Sequence, residues 1–225
     1  MSERTNGQFA SQAYHIEAME NGLRVVAPTS PVLSRGDTLN RPTITIEFLA
    51  VSPEVISVRA WHYEGYRTGE ARFEKKETTC DAVVTITENE AVLDAGRVSV
   101  HVDRKNWGYS FWADGKLLTS SGFHNLGYVR WDKRVSSMLP QDNYMKEHEY
   151  TPYMTQDLLL APGENVYGFG ERFTAFVKNG QAVETWNEDG GTASQVAYKN
   201  IPFYMTNRGY GVFVDHTGNV SFEVA

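Results

Sequence analysis

The sequence holds one cysteine, Cys80, in 225 residues. No internal disulfide can form, which fits a reducing compartment. The six histidines, His15, His62, His101, His124, His148 and His216, show no metal-ligand spacing such as HxxxH. With no cysteine pair beside them, neither a metal nor any other cofactor is expected. Basic charge is also short: 21 Lys and Arg stand against 28 Asp and Glu, for a net charge of −7. A nucleic-acid partner would need the opposite balance, so none is expected. No apolar run approaches the ~20 residues of a membrane helix. The first twenty residues carry Glu3, Arg4, Glu17 and Glu20 and no apolar stretch of a secretion signal. The expectation is a cytoplasmic protein without membrane contact, in which the sequon Asn219-Val220-Ser221 is a coincidence. Amphipathic helices are missing as well; Lys133–Leu139 has room for a turn or two. There is no G-x-S-x-G elbow for a serine nucleophile. Gly168-Phe169-Gly170-Glu171-Arg172-Phe173 begins like a dinucleotide fingerprint, but Phe173 occupies the third glycine's place and no helix pattern follows.

What is present is a period of two. Ile44, Ile46 and Phe48 alternate with Thr43, Thr45 and Glu47, and Val98, Val100 and Val102 with Ser99, His101 and Asp103. Val83–Glu88 alternates less cleanly. Such alternation marks half-buried strands. Further strand-like runs are Leu23–Ala27, Val55–Tyr63, Tyr109–Ala113, Thr155–Ala161, Ile201–Thr206, Gly211–Asp215 and Ser221–Val224. Turn pairs separate them, among them Asn21-Gly22, Ser52-Pro53 and Ala95-Gly96. Asp114-Gly115 and Asn179-Gly180 are read as hairpin turns. Many short, closely spaced strands predict an all-β antiparallel sandwich with little helix. Residues 1–20 are expected as a loosely ordered arm and residues 21–225 as the sandwich domain. The polar stretch Asp132–His148 reads as a long connection.

Two stretches could carry chemistry. Gly168–Phe173 reads either as a solvated turn or as a strand end opening into a hairpin. Trp186-Asn187-Glu188-Asp189-Gly190-Gly191-Thr192 sets an aromatic, an amide and two carboxylates at a glycine-rich turn. A carboxylate accepts several hydrogen bonds, as neighbouring sugar hydroxyls require, and the glycines permit close backbone approach. On chemistry alone it is either a sugar contact or a turn with incidental charges.

Val166–Thr174, with its Gly-x-Gly-Glu-Arg-Phe core, resembles a segment of family 31 glycoside hydrolases. Lys178-Asn179-Gly180-Gln181, Glu184–Thr192, Ala197–Thr206 and Arg208–Val212 follow in that family's order. The run Asp189–Thr192 with Ala197–Phe203 looks most like the bacterial α-xylosidase branch. The resemblance extends more weakly to Thr43–Gly65 and Asn125–Val129. It implies the N-terminal, galactose-mutarotase-like β-sandwich of a retaining α-glycosidase. In the family this sandwich packs beside a (β/α)₈ barrel that supplies both catalytic aspartates. The chain ends at Ala225, before any barrel, so no catalytic residue is assigned in it, and the chain alone is expected to be inactive. Strands beyond Ser221–Val224 would then be missing from an open edge.

What carries over is Asp189, as a substrate-contacting residue, with Arg172, Phe173, Trp186 and Asn187 as support for its loop. The implied partners are the barrel and an α-xyloside or α-glucoside oligosaccharide. Two other readings stand beside this one. One is a stand-alone carbohydrate-binding module. The other is a homo-oligomer formed through exposed aromatics such as Trp131 or Tyr144.

Overall fold

The computed structural model describes residues 4–39, 41–63, 78–132, 150–188 and 197–225. Lys133–Leu139, the connection at 133–148 and Tyr144 lie outside them, as does the side chain of Trp131. The chain divides into two compact units, Met1–Tyr66 with Lys75–Leu159, and Arg67–Glu74 with Leu160–Ala225. The all-β expectation holds: the ladders between strands are antiparallel. Among the described residues the helical content is one 3₁₀ turn, Arg35–Thr38.

The first unit begins with β1 (Arg4–Phe9), β2 (His15–Met19), β3 (Gly22–Pro28), β4 (Thr43–Ser52), β5 (Val55–Trp61) and β6 (Val83–Ile86). It continues with β7 (Glu90–Asp94), β8 (Val98–Asp103), β9 (Gly108–Ala113), β10 (Lys116–Ser121), β11 (Leu126–Asp132) and β12 (Tyr150–Gln156). These strands form three sheets, in the orders β2-β3-β4-β5, β10-β9-β8-β7-β6 and β1-β11-β12. Alternation decides which side chains are buried. Leu23, Val25 and Ala27 of β3 and Ile44, Ile46 and Phe48 of β4 share one core with Ala91, Leu93, Val100 and Val102 of the five-stranded sheet. The Phe48 ring meets Tyr109 edge-on at 5.1 Å. Each such large apolar side chain contributes about 1.5–3 kcal/mol by leaving water.

The opposite face of the four-stranded sheet carries charges in register: Glu17 opposite Arg24, Arg24 opposite Glu47, Glu47 opposite Arg59. Arg24 bonds both glutamates at 2.6 Å. These cross-strand pairs fix register more than they add stability.

Three local readings differ from the structure. β1 and β2 lie in the stretch read as a loose arm. β1 is polar, yet all six of its residues pair with β11, from Arg4 opposite Asp132 to Phe9 opposite Gly127. The partner, not its own pattern, makes it a strand. Thr155–Ala161 is displaced: β12 ends at Gln156, and the chain then makes single bonds from Asp157 N–H to Asn125 and from Leu159 N–H to Ser120. Asn179-Gly180 is a turn, closed by Gln181 N–H on Lys178 C=O, but it joins no hairpin. Asp114-Gly115 does join one, between β9 and β10, with φ of 51° and 73°.

The second unit holds β13 (Val166–Gly170), β14 (Gln181–Glu184), β15 (Asn200–Thr206), β16 (Gly211–Phe213) and β17 (Ser221–Val224). The sheets are β13-β15-β16 and β14-β17. Val166, Phe169, Val183 and Val224 form its core, with Leu160, Tyr204 and Phe222 packed against them. Phe169 is fully buried at φ 69°, a backbone region that a bulky residue occupies only under tertiary constraint. Its ring stands 4.7 Å from Phe222. The β13–β15 register shifts between Gly168 and Gly170, so the strand end bends just before Glu171 and Arg172.

Candidate functional site

The described stems of the glycine-rich loop are Trp186-Asn187-Glu188 on the way out and Ala197-Tyr198-Lys199-Asn200 on the return. Asp189, Gly190, Gly191 and Thr192 lie outside the described residues. The stems meet through a parallel bridge between Asn187 and Ala197, with Glu188 N–H donating to Ala197 C=O at 2.9 Å.

Asn200, the first residue of β15, ties this base together. Its backbone N–H donates to Asn187 Oδ1 at 2.8 Å, and its side-chain Nδ2 lies 3.1 Å from the same oxygen. Nδ2 also donates to Trp186 C=O at 2.8 Å and to Ala197 C=O at 2.6 Å. Its Oδ1 accepts from the Arg172 guanidinium. Arg172 donates further to Glu184 C=O and, through Nε at 3.2 Å, to Phe169 C=O. One planar fork therefore joins the end of β13, the end of β14 and the start of β15, a geometry that suits arginine rather than lysine. Burial pushes the Arg172 pKa down, and the Glu184 charge opposes the shift.

Beneath the segment after β13, Lys178 is buried and donates to Thr174 Oγ1 at 2.9 Å and Ala175 C=O at 2.6 Å. Burial lowers its pKa, and the like charge of Arg172 lowers it further. At the surface Glu171 pairs with Lys199 at 2.8 Å, and Glu171 N–H donates to Lys199 C=O at 3.0 Å. Gly170 must be glycine: at φ 86° a Cβ there would run into the Lys199 carbonyl oxygen.

Of the residues singled out from sequence, Arg172 and Asn187 are thus brought together, both on Asn200. Trp186 joins through its backbone oxygen, while its ring is exposed. The Phe173 ring is exposed. Asn200 is the supporting residue that sequence reasoning passed over. Its only local signal is an amide placed where a loop re-enters a strand.

This arrangement can hold two chain ends at a fixed spacing. Two nearby carboxylates are engaged, Glu171 with Lys199 and Glu184 with the Ser221 hydroxyl.

Antiparallel sheets around buried apolar faces define an all-β protein. The family model described as the glycosyl hydrolase 31 N-terminal galactose mutarotase-like domain matches residues 44–223, and the chain belongs to this family. It is 39% identical over 213 residues to α-xylosidase XylQ of Lactiplantibacillus pentosus, covering 92% of this chain and 26% of that protein. It is 37% identical over 199 residues to an α-xylosidase of Emericella nidulans, covering 84% of this chain and 25% of that protein. The chain therefore spans about a quarter of these relatives' length and matches their N-terminal domain. Among solved structures, the cycloalternan-forming enzyme of Listeria monocytogenes in complex with a pentasaccharide substrate superposes with a TM-score of 0.70 at 14% identity, over 97% of this chain and 18% of that one. A family 31 α-xylosidase of Xanthomonas citri gives 0.55 at 16%, over 91% and 19%. At such identities the likeness bears on fold alone.

Proposed function

We propose that the chain serves as the N-terminal domain of a cytoplasmic, retaining α-glycosidase of α-xylosidase type. In this role it supports a catalytic barrel and lends the loop between Trp186 and Asn200 to the substrate pocket. The observation that carries the reading is the clamp on Asn200, with Arg172 on one side and Asn187 on the other. A loop that only connected two strands would not need six hydrogen bonds donated by the side chains of Arg172 and Asn200. Asp189 sits two residues beyond Asn187 and would contact a sugar hydroxyl.

A second feature supports the docking role. The side of β15 and β16 facing away from Tyr204 carries Ile201, Met205 and Phe213, exposed at 46%, 52% and 58%, with Phe203 paired to Phe213. Apolar residues gathered on one sheet face mark a contact surface. In the whole enzyme the barrel covers it rather than a second copy of the chain.

Catalysis then belongs to the rest of the enzyme. The 225-residue chain incubated with p-nitrophenyl α-xyloside should release no nitrophenol, while the full-length enzyme should release it. Turnover that tracks the isolated chain through purification would overturn the assignment.

A further inference from the structure

The five-stranded sheet of the first unit carries a groove on its outward face, made of residues other than those of the loop. The alternation that sends Leu93, Val100 and Phe111 inward sends Asp94, Ser99 and Trp112 outward. These three lie in register across β7, β8 and β9. The next outward row holds His101 opposite Ser110. The groove has a volume of about 320 Å³ and is lined by Asp94, Arg97, Ser99, His101, Trp112 and Asp114 with the neighbouring turn glycines.

Each wall is held in place. Trp112 Nε1 donates to Ser110 Oγ at 2.8 Å, so the indole is fixed and its polar atom is satisfied within its own strand. The His101 ring stands 5.7 Å from Trp112, tilted by 50°. Its Nε2 lies 3.2 Å from Ser99 Oγ and its Nδ1 3.5 Å from Glu90 Oε2. Two turns close one end. Asp94 Oδ accepts from Gly96 N–H at 2.8 Å in the first. In the second, Asp114 at φ 51° sets its carboxylate 3.3 Å from Arg97 Nε. Arg97 also bonds Glu54 at 2.7 Å.

A solvated sheet face needs none of this: an indole on the water side, tied down by its own N–H, offers chiefly its ring. Ring faces of this kind pack against the apolar C–H face of a pyranose. The surrounding carboxylates accept hydroxyl protons, and the hydroxyls and imidazole exchange roles with them. Phosphate is disfavoured, because Arg97 is shared between two carboxylates and Asp94 adds another negative charge. The volume lies at the small end of ligand pockets, roughly 300–1,000 Å³, which suits one or two sugar rings. The geometry points to a binding subsite for a neutral pyranose oligosaccharide in this groove, with Trp112 as the platform.

Calorimetric titration of the 225-residue chain with isoprimeverose, maltotriose and glucose 1-phosphate tests it. A neutral sugar should bind, and Trp112→Ala should weaken that binding by about tenfold or more, as expected for an aromatic anchor. His101→Ala, which leaves the indole in place, should weaken it by about threefold with an unchanged circular dichroism spectrum, at a cost within the range of one hydrogen bond. The inference falls if neither neutral sugar binds, if only glucose 1-phosphate binds, or if a neutral sugar binds and both Trp112→Ala and His101→Ala leave its affinity unchanged.

Discussion

The Arg172 guanidinium donates to the side-chain oxygen of Asn200, and the amide nitrogen of the same Asn200 donates to Trp186 and Ala197 C=O on either side of the loop. Twenty-eight positions separate the two residues. The pair turns a connection between β14 and β15 into a loop with a fixed base.

Removing the amide should loosen that base without unfolding the core. Asn200→Ala deletes three side-chain donations and one acceptance at a cost of about 1–3 kcal/mol, since each neutral bond is worth about 0.5–1.5 kcal/mol. Local opening follows such a loss. Cleavage after Glu188 by a glutamate-specific protease should accelerate by roughly tenfold, the factor that 1.4 kcal/mol represents. Cleavage after Glu54 should keep its rate. Equal acceleration at both sites would show global rather than local destabilisation.

Two glycines with similar φ should respond differently to alanine. Gly170 (φ 86°) meets the Lys199 carbonyl and the Ile201 amide at its Cβ position, whereas Gly180 (φ 77°) has nothing within 4 Å. Gly180→Ala should cost about 1–2 kcal/mol, the left-handed penalty alone. Gly170→Ala adds a backbone clash and should cost about 3 kcal/mol or more. Urea midpoints of the two variants measure the gap, and equal midpoints would contradict the close approach of β13 to Lys199.

Stability should also depend on the charge of Asp103. Burial works against that charge, but N–H groups of Asn106 and Lys105 and the Asn106 side-chain amide outweigh it and hold the carboxyl below its usual range. A carboxyl depressed by folding stabilises the fold above its unfolded value, and the contribution is lost as pH falls through the folded value. Asp103→Asn should therefore unfold at lower urea than the unaltered chain at neutral pH. The difference should close as pH drops below roughly 3.9, the ordinary aspartate value. A pH-independent difference would mean that charge plays no part in this turn.

Much of the larger unit was legible because its core strands bury alternate residues: Ile44, Ile46 and Phe48 announce β4 without help from any partner. β1 was not legible, since Arg4–Phe9 has one large apolar residue and becomes a strand only by pairing with β11. Asp114-Gly115 and Asn179-Gly180 carry the same local signal. Only the first joins adjacent strands, because β14 takes its partner β17 from the far end of the unit. At the site, Arg172 and Asn187 could be named from the family resemblance. Asn200 could not, because its importance lies in contacts with groups up to 28 residues away.

In the proposed enzyme the loop held by Arg172, Asn187 and Asn200 finishes a substrate pocket through Asp189. The direct measurement is kcat/KM of the full-length enzyme on p-nitrophenyl α-xyloside, with and without Asp189→Ala. Loss of a hydrogen bond to a charged group, worth about 1.5–3 kcal/mol, predicts a fall of roughly tenfold or more. An unchanged kcat/KM would remove Asp189 from the site and leave the clamp as a structural device alone.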